Sequence, residues 1–119
     1  MKKRILLAVS VLSVLLILCL LLGSYFVFGT ANFIKVTDAL IAVSSGYANY
    51  VEISSAPNRI VIAAPDNSYQ IMVEALEAEG YVIHEDDQMG SLHHISKDGK
   101  SEYLHFRVNG YYSLWKWKP

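Results

Sequence analysis

Four histidines lie in the second half of the chain, at His84, His93, His94 and His105. Imidazole nitrogens bind zinc and copper, so histidines on neighbouring strands can form a metal site. The register that the nearby turns impose puts His94 and His105 on one face, with Cβ atoms about 7 Å apart. His93 points to the opposite face, because successive side chains of a strand alternate. The pattern predicts a metal site at His94 and His105, with a third ligand from residues 85–87. Ordinary strand histidines with local hydrogen bonds are the alternative.

A second set of side chains on the same face could bind a ligand. Tyr103, His105, Arg107 and Tyr112 combine flat rings with a guanidinium group. Such side chains stack on a ring, a sugar or a peptide. Aromatic residues in strands also serve as packing, which is the alternative for these four. We take them as the predicted ligand- or partner-binding residues.

Motifs for catalysis and for cofactors are missing. The sequence has no Gly-x-Ser-x-Gly nucleophile elbow and no glycine-rich phosphate loop. The one cysteine, Cys19, lies in the apolar N-terminal segment, so the rest of the chain has neither a thiol nucleophile nor a disulfide. We therefore expect neither an enzyme nor a resident cofactor.

The charge balance argues against two classes of partner. Beyond residue 4 the chain has 7 basic and 11 acidic residues, a net charge of −4. A nucleic-acid-binding protein usually has a basic patch, and an acidic domain is not attracted to anionic lipid head groups. We expect no nucleic-acid partner.

Two turn signals define a C-terminal sheet. Asp98-Gly99 and Asn109-Gly110 stand between strand-like runs, and both pairs suit a type I′ turn. They predict an antiparallel three-strand meander over 91–97, 100–108 and 111–117, with Val108 opposite Tyr111. The first face of the meander is apolar and comprises His93, Ile95, Leu104, Phe106, Val108, Tyr111, Trp115 and Trp117. The second face is amphipathic and comprises Leu92, His94, Tyr103, His105, Arg107, Tyr112, Leu114 and Lys116.

One amphipathic helix should cover the first face. Asp66 is a good N-cap, and Gly80 suits the residue just after a helix. An apolar stripe at helical spacing is formed by Tyr69, Met72, Val73 and Leu76. Further short strands are predicted at 47–53, 59–63 and 81–84. The order predicts an α+β domain of two layers, with one helix packed on an antiparallel sheet.

The N-terminus assigns a location. Three basic residues precede an uncharged apolar run from Ile5 to Phe28, which is long enough to span a hydrocarbon core of about 30 Å. The basic residues predict a cytoplasmic N-terminus and an outer C-terminal domain. Small residues at 29–31 leave open a cleaved signal peptide, which would make the protein secreted. The predicted parts are a cytoplasmic basic tip with a transmembrane anchor at 1–29, a juxtamembrane connector at 30–45 and an extracytoplasmic α+β domain at 46–119.

This organisation is typical of a small bacterial envelope protein. It predicts a single-pass cell-membrane protein whose outer domain binds a partner or ligand at the envelope surface. Two alternatives stay open. One is an accessory or immunity-type protein of another membrane protein, and the other is a metal-binding envelope protein that uses His94 and His105.

Overall fold

The N-terminal unit is one long helix. The structure is a computed structural model that describes all 119 residues, and the chain divides into two compact units at residues 1–34 and 35–119. Helix α1 runs over Lys2–Phe28, an almost wholly apolar stretch without proline. Gly29, with a φ of +80°, ends the helix and donates its N–H to the carbonyl of Tyr25 at 2.8 Å. By length and composition α1 can cross a membrane, and a signal sequence would meet the same criteria.

Serine hydroxyls in this unit are satisfied locally. The Ser13 hydroxyl donates to the carbonyl of Val9 at 2.8 Å, and the Ser24 hydroxyl donates to the carbonyl of Thr30 at 2.6 Å. In a hydrocarbon environment every polar group needs an internal partner. These two serines therefore suit an apolar helix without needing a second helix beside it.

The rest of the chain folds into two helices and one open sheet, which confirms the α+β class. Helices α2 and α3 cover Phe33–Ser44 and Ser68–Ala78. The strands are β1 (Tyr50–Ser54), β2 (Arg59–Ala63), β3 (Val82–Met89), β4 (Leu92–Lys97), β5 (Lys100–Val108) and β6 (Ser113–Trp117). They lie in the order β1-β2-β6-β5-β4-β3, and every pair of neighbours is antiparallel. The strand predicted at 59–63 is confirmed, whereas the one predicted at 81–84 runs on to Met89 and includes the carboxylates of residues 85–87.

Helix α3 ends as predicted but begins differently. Its N-cap is Asn67, with a φ of 54° and no capping bond from its side chain, so the prediction of Asp66 as the cap was wrong. At the other end Gly80 has a φ of +93°, and the Tyr81 N–H donates to the carbonyl of Leu76 at 3.0 Å. This bond is typical of the Schellman motif, which needs a residue that enters the left-handed region without a Cβ clash.

The first face carries the main core, as the sequence predicted. The buried cluster joins the stripe of α3 to β2, β4, β5 and β6, and consists of Val61, Ala63, Met72, Leu76, Tyr81, Ile95, Leu104, Trp115 and Trp117. Met72 and Leu76 are 0% and 1% exposed. Hydrophobic burial of this kind is the dominant stabilising term, so α3 and the first face hold the sheet together.

The second face also has a cover, which makes the description with one packed helix approximate. Helix α2 buries a stripe of Val36, Ala39 and Val43. On the sheet, the second face continues from β6 onto β2 and β1, where four apolar side chains are at most 3% exposed, namely Ile53, Ile60, Ile62 and Leu114. Because α3 occupies the opposite face, we infer that α2 covers these residues. The second face is therefore buried towards β1 and β2 and open towards β5 and β4.

The first hairpin of the meander has the predicted register. Asp98 and Gly99 have φ values of 53° and 79°, as a type I′ turn requires. Lys97 then lies opposite Lys100, and His94 lies opposite Tyr103. The predicted neighbours on the second face are therefore confirmed between β4 and β5.

The second hairpin differs from the prediction by two residues. Val108 pairs with Ser113 and not with Tyr111, so the predicted pairing of β6 was wrong. The reason is Asn109, whose Oδ1 accepts hydrogen bonds from the N–H groups of Tyr111 and Tyr112 at 2.8 and 2.9 Å. This Asx-type arrangement replaces a two-residue turn with a longer loop. Since the shift is an even number of residues, each side chain of β6 keeps its predicted face.

Candidate ligand-binding groove

A groove opens on the uncovered part of the second face. Its volume is about 530 Å³, within the range of pockets that hold small ligands. It is lined by Asn58, Tyr103, His105, Arg107, Leu114, Lys116, Trp117 and Lys118. We call it the basic groove, because its lining includes three basic residues and no acidic one.

Strands β5 and β6 place the central side chains of the basic groove. Leu114 is 3% exposed and lies opposite Arg107, while His105 lies opposite Lys116. Side chains in directly opposed positions have Cβ atoms about 4.5–5.5 Å apart. The sequence-based register had put His105 opposite Leu114. The corrected register instead sets an imidazole beside an ammonium group.

Tyr103 forms a wall of the basic groove and is 52% exposed. Its ring stacks on His94 with centroids 5.1 Å apart, and the His94 ring stacks on His84 at 4.3 Å. The three rings form a column across β5, β4 and β3. Because each ring packs against the next, the stack restricts the orientation of the Tyr103 ring.

Both ring nitrogens of His94 have polar partners. Nδ1 lies 3.0 Å from Oδ2 of Asp87, and Nε2 lies 3.0 Å from Oγ of Ser101. The structure contains no group of three or more His, Cys, Asp or Glu side chains arranged to hold a metal ion. Asp87, one of the carboxylates considered as a third ligand, is already engaged with His94. The metal site at His94 and His105 therefore stays a prediction, and no distance in the structure favours it.

His93 lies on the first face, away from the basic groove. It is 4% exposed, and its ring centroid is 5.6 Å from both Tyr69 and Phe106. Burial lowers the pKa of His93 from its ordinary value, because the charged form is poorly solvated there. His93 is thus a neutral core residue at pH 7.

The four predicted binding residues do not all lie in one place. Tyr103, His105 and Arg107 line the basic groove, whereas Tyr112 lines a smaller hollow of about 220 Å³ that also touches Arg107 and Leu114. Sequence reasoning did not single out Lys116, which lines the groove, although strand alternation had placed it on this face. The net charge of the domain hid it, because that sum includes the acidic residues near β3 as well as the cations of the groove.

Arg59 pairs with two acidic residues on the first-face side of the sheet. Its Nε donates to Glu52 at 2.9 Å, and its Nη2 donates to Glu79 at 3.0 Å. Burial alone would lower the pKa of Arg59, but the hydrogen bonds and charges of Glu52 and Glu79 raise it above its ordinary value. The guanidinium also lies 4.6 Å from the ring of Trp117, and this contact fixes one end of the groove lining.

Comparison with known proteins supplies no further guide to this site. No known protein family, curated protein or solved structure matches the chain. Its function is therefore argued from the basic groove and from the apolar helix α1.

Proposed function

We propose that the protein is a single-pass membrane protein whose outer domain binds a ligand or partner in the basic groove. The observation that carries this proposal is the groove itself, an open concavity of about 530 Å³ next to a densely packed core. Its side chains project mainly from paired strands, which hold binding groups more precisely than loops do. A half-exposed tyrosine ring and three cations supply both apolar and charged contacts there.

The proposed location rests on α1. None of the most apolar part of this helix is buried within the chain, so its side chains need an apolar environment of another kind. The basic residues at 2–4 support a cytoplasmic N-terminus. The binding domain would then face the bacterial envelope, and residues 29–32 would tether it so that its partners lie near the membrane surface.

Photo-crosslinking from the basic groove tests the binding function. In the full-length protein in its native membrane, Tyr103 is replaced by p-benzoylphenylalanine, and the adduct is weighed by mass spectrometry after irradiation. We expect a discrete adduct that is lost when Arg107→Gln is added. Tyr47 is 91% exposed and does not line the groove, so it is the matched control position.

The outcomes of this experiment are distinct. No adduct at Tyr103, or an equal adduct at Tyr47, contradicts binding in the basic groove. The adduct mass separates a protein partner, as an accessory or immunity-type protein would have, from a small ligand.

The mass of the mature protein tests the anchor. An intact chain that retains residues 1–31 and stays with the membrane after a carbonate wash supports a spanning helix. A chain that begins at Asn32 and leaves with the soluble fraction would show that α1 is a removed signal sequence.

A further inference from the structure

We propose that the basic groove binds a small soluble ligand that carries a phosphate group next to a ring, an inference that rests on the proposed binding function. Arg107, Lys116 and Lys118 gather around one cavity, in a part of the chain whose net charge is −4. Like charges on neighbouring strands repel each other. The lining contributes no carboxylate, so an anion that enters the groove meets three cations and no like charge.

The arrangement of the cations favours a phosphate over a single carboxylate. Arg107 lies opposite Leu114 and Lys116 lies opposite His105, so the two cations are a diagonal step apart on β5 and β6, about 7–8 Å between Cα atoms. Their long side chains can meet on one ligand group. A phosphate monoester carries nearly two negative charges at pH 7 and three acceptor oxygens, and it suits an arginine fork together with lysine point charges.

The other lining residues favour a ring beside the phosphate. The Tyr103 ring is 52% exposed and is held from behind by His94, while Leu114 supplies an apolar floor. Stacked ring pairs gain energy beyond the area that they bury. The Tyr103 side of the groove is therefore suited to a flat group, and the lysine side is suited to its phosphate.

The size of the groove and the charge of the domain favour a soluble ligand over a lipid head group. The groove has a volume of about 530 Å³, which lies in the range of pockets that hold small molecules. A net charge of −4 beyond residue 4 opposes approach to an anionic lipid surface, because surface attraction depends on positive charge within about a Debye length.

Titration of the full-length protein in phosphatidylcholine nanodiscs tests this inference. Amide NMR shifts of β5 and β6 are followed with phenyl phosphate, methyl phosphate and phenol. We expect phenyl phosphate to bind, methyl phosphate to bind about threefold or more weakly, and phenol to cause no shift. Tyr103→Leu should remove the difference between the first two probes.

Matched lysine variants locate the phosphate. Lys116→Gln should weaken phenyl phosphate about tenfold, since it removes a charged hydrogen bond. Lys118→Gln should weaken it severalfold, and Lys118 is exposed beyond the last strand, so this change does not disturb the fold. Lys100→Gln, an exposed lysine outside the groove, should leave binding unchanged. Equal weakening by Lys100→Gln and Lys116→Gln would overturn the inference.

Two further results bear on the ligand class. If phenyl phosphate shifts no amide of β5 or β6, or if these amides respond only when phosphatidylglycerol is added to the nanodisc, the soluble phosphate ligand is wrong. A Tyr103 adduct without phenyl phosphate binding would leave the binding function standing and remove only its phosphate class. If neither a Tyr103 adduct nor phenyl phosphate binding is observed, both the binding function and the phosphate ligand are wrong.

Discussion

Deleting α2 should strongly destabilise the sheet domain, even though the sequence placed the start of that domain at residue 46. Two fragments are compared, residues 33–119 and residues 46–119. The shorter fragment lacks Val36, Ala39 and Val43, the buried stripe of α2. It retains the second-face side chains that we infer this stripe covers, and these become exposed to water.

The expected magnitude follows from the burial of the second face. Its four apolar side chains, Ile53, Ile60, Ile62 and Leu114, are at most 3% exposed. Full burial of such a side chain contributes about 1.5–3 kcal/mol, so uncovering half of the area costs about 3–6 kcal/mol. A unit of about 85 residues has a free energy of unfolding of about 4–13 kcal/mol. The fragment 46–119 should therefore lose about 3–6 kcal/mol of its free energy of unfolding, a large part of the total.

Urea unfolding followed by tryptophan fluorescence measures this effect, and point variants in the fragment 33–119 refine it. Val43 is 6% exposed and Ile41, on the same helix, is 61% exposed. Val43→Ala should lower the free energy of unfolding by about 1–3 kcal/mol, whereas Ile41→Ala should change it by less than about 0.5 kcal/mol. The reasoning is refuted if 46–119 has the same urea midpoint as 33–119, or if the two alanine variants are equally stable.

Three further changes can be measured by the same urea midpoints. His93 is neutral when folded and has an ordinary pKa of 6.5 when unfolded, so its contribution to stability is complete above about pH 6.5 and is lost as the pH falls toward its lowered folded pKa. His93→Gln should remove that part of the pH dependence, and an unchanged profile would contradict it. Gly99→Ala should cost about 1 kcal/mol because Gly99 has a φ of +79°, whereas Gly110→Ala, at a position without positive φ, should cost less than half as much. Asn109→Ala should cost about 1 kcal/mol because it removes the acceptor for two backbone N–H groups. Asn109→Asp keeps an acceptor, so an equal loss for both variants would count against the loop mechanism.

The fold was predictable wherever a local sequence pattern is compatible with only one backbone structure. Asp98-Gly99 required a type I′ turn, and the stripe from Tyr69 to Leu76 required an apolar face to cover. Asn109-Gly110 had two solutions, because an asparagine either enters the left-handed region or accepts hydrogen bonds from the following backbone. The structure has the second arrangement, and no pattern within the loop itself shows which of the two forms.

The candidate site was predictable in its residue types but not in its extent. Alternation along β5 placed Tyr103, His105 and Arg107 on one face, and the basic groove contains all three. The contribution of Lys118 depends on where the chain goes after β6, which alternation does not determine. The role of His94 was likewise hidden, since a ring stack with His84 and Tyr103 requires three strands in register.

The open part of the second face has an acidic end and a basic end. The net charge of the domain therefore describes neither end. A hollow of about 470 Å³ near β3 is lined by Glu85, Asp86 and Asp87, whereas the basic groove has no acidic lining residue. The column of His84, His94 and Tyr103 stands between the two. Carboxylates on an edge strand discourage pairing with another chain, and they also repel anions from that end of the sheet. The anionic ligand that we propose would therefore be directed toward the groove by the same acidic residues that make the domain as a whole negative. A net charge of −4 is thus compatible with anion binding at one place.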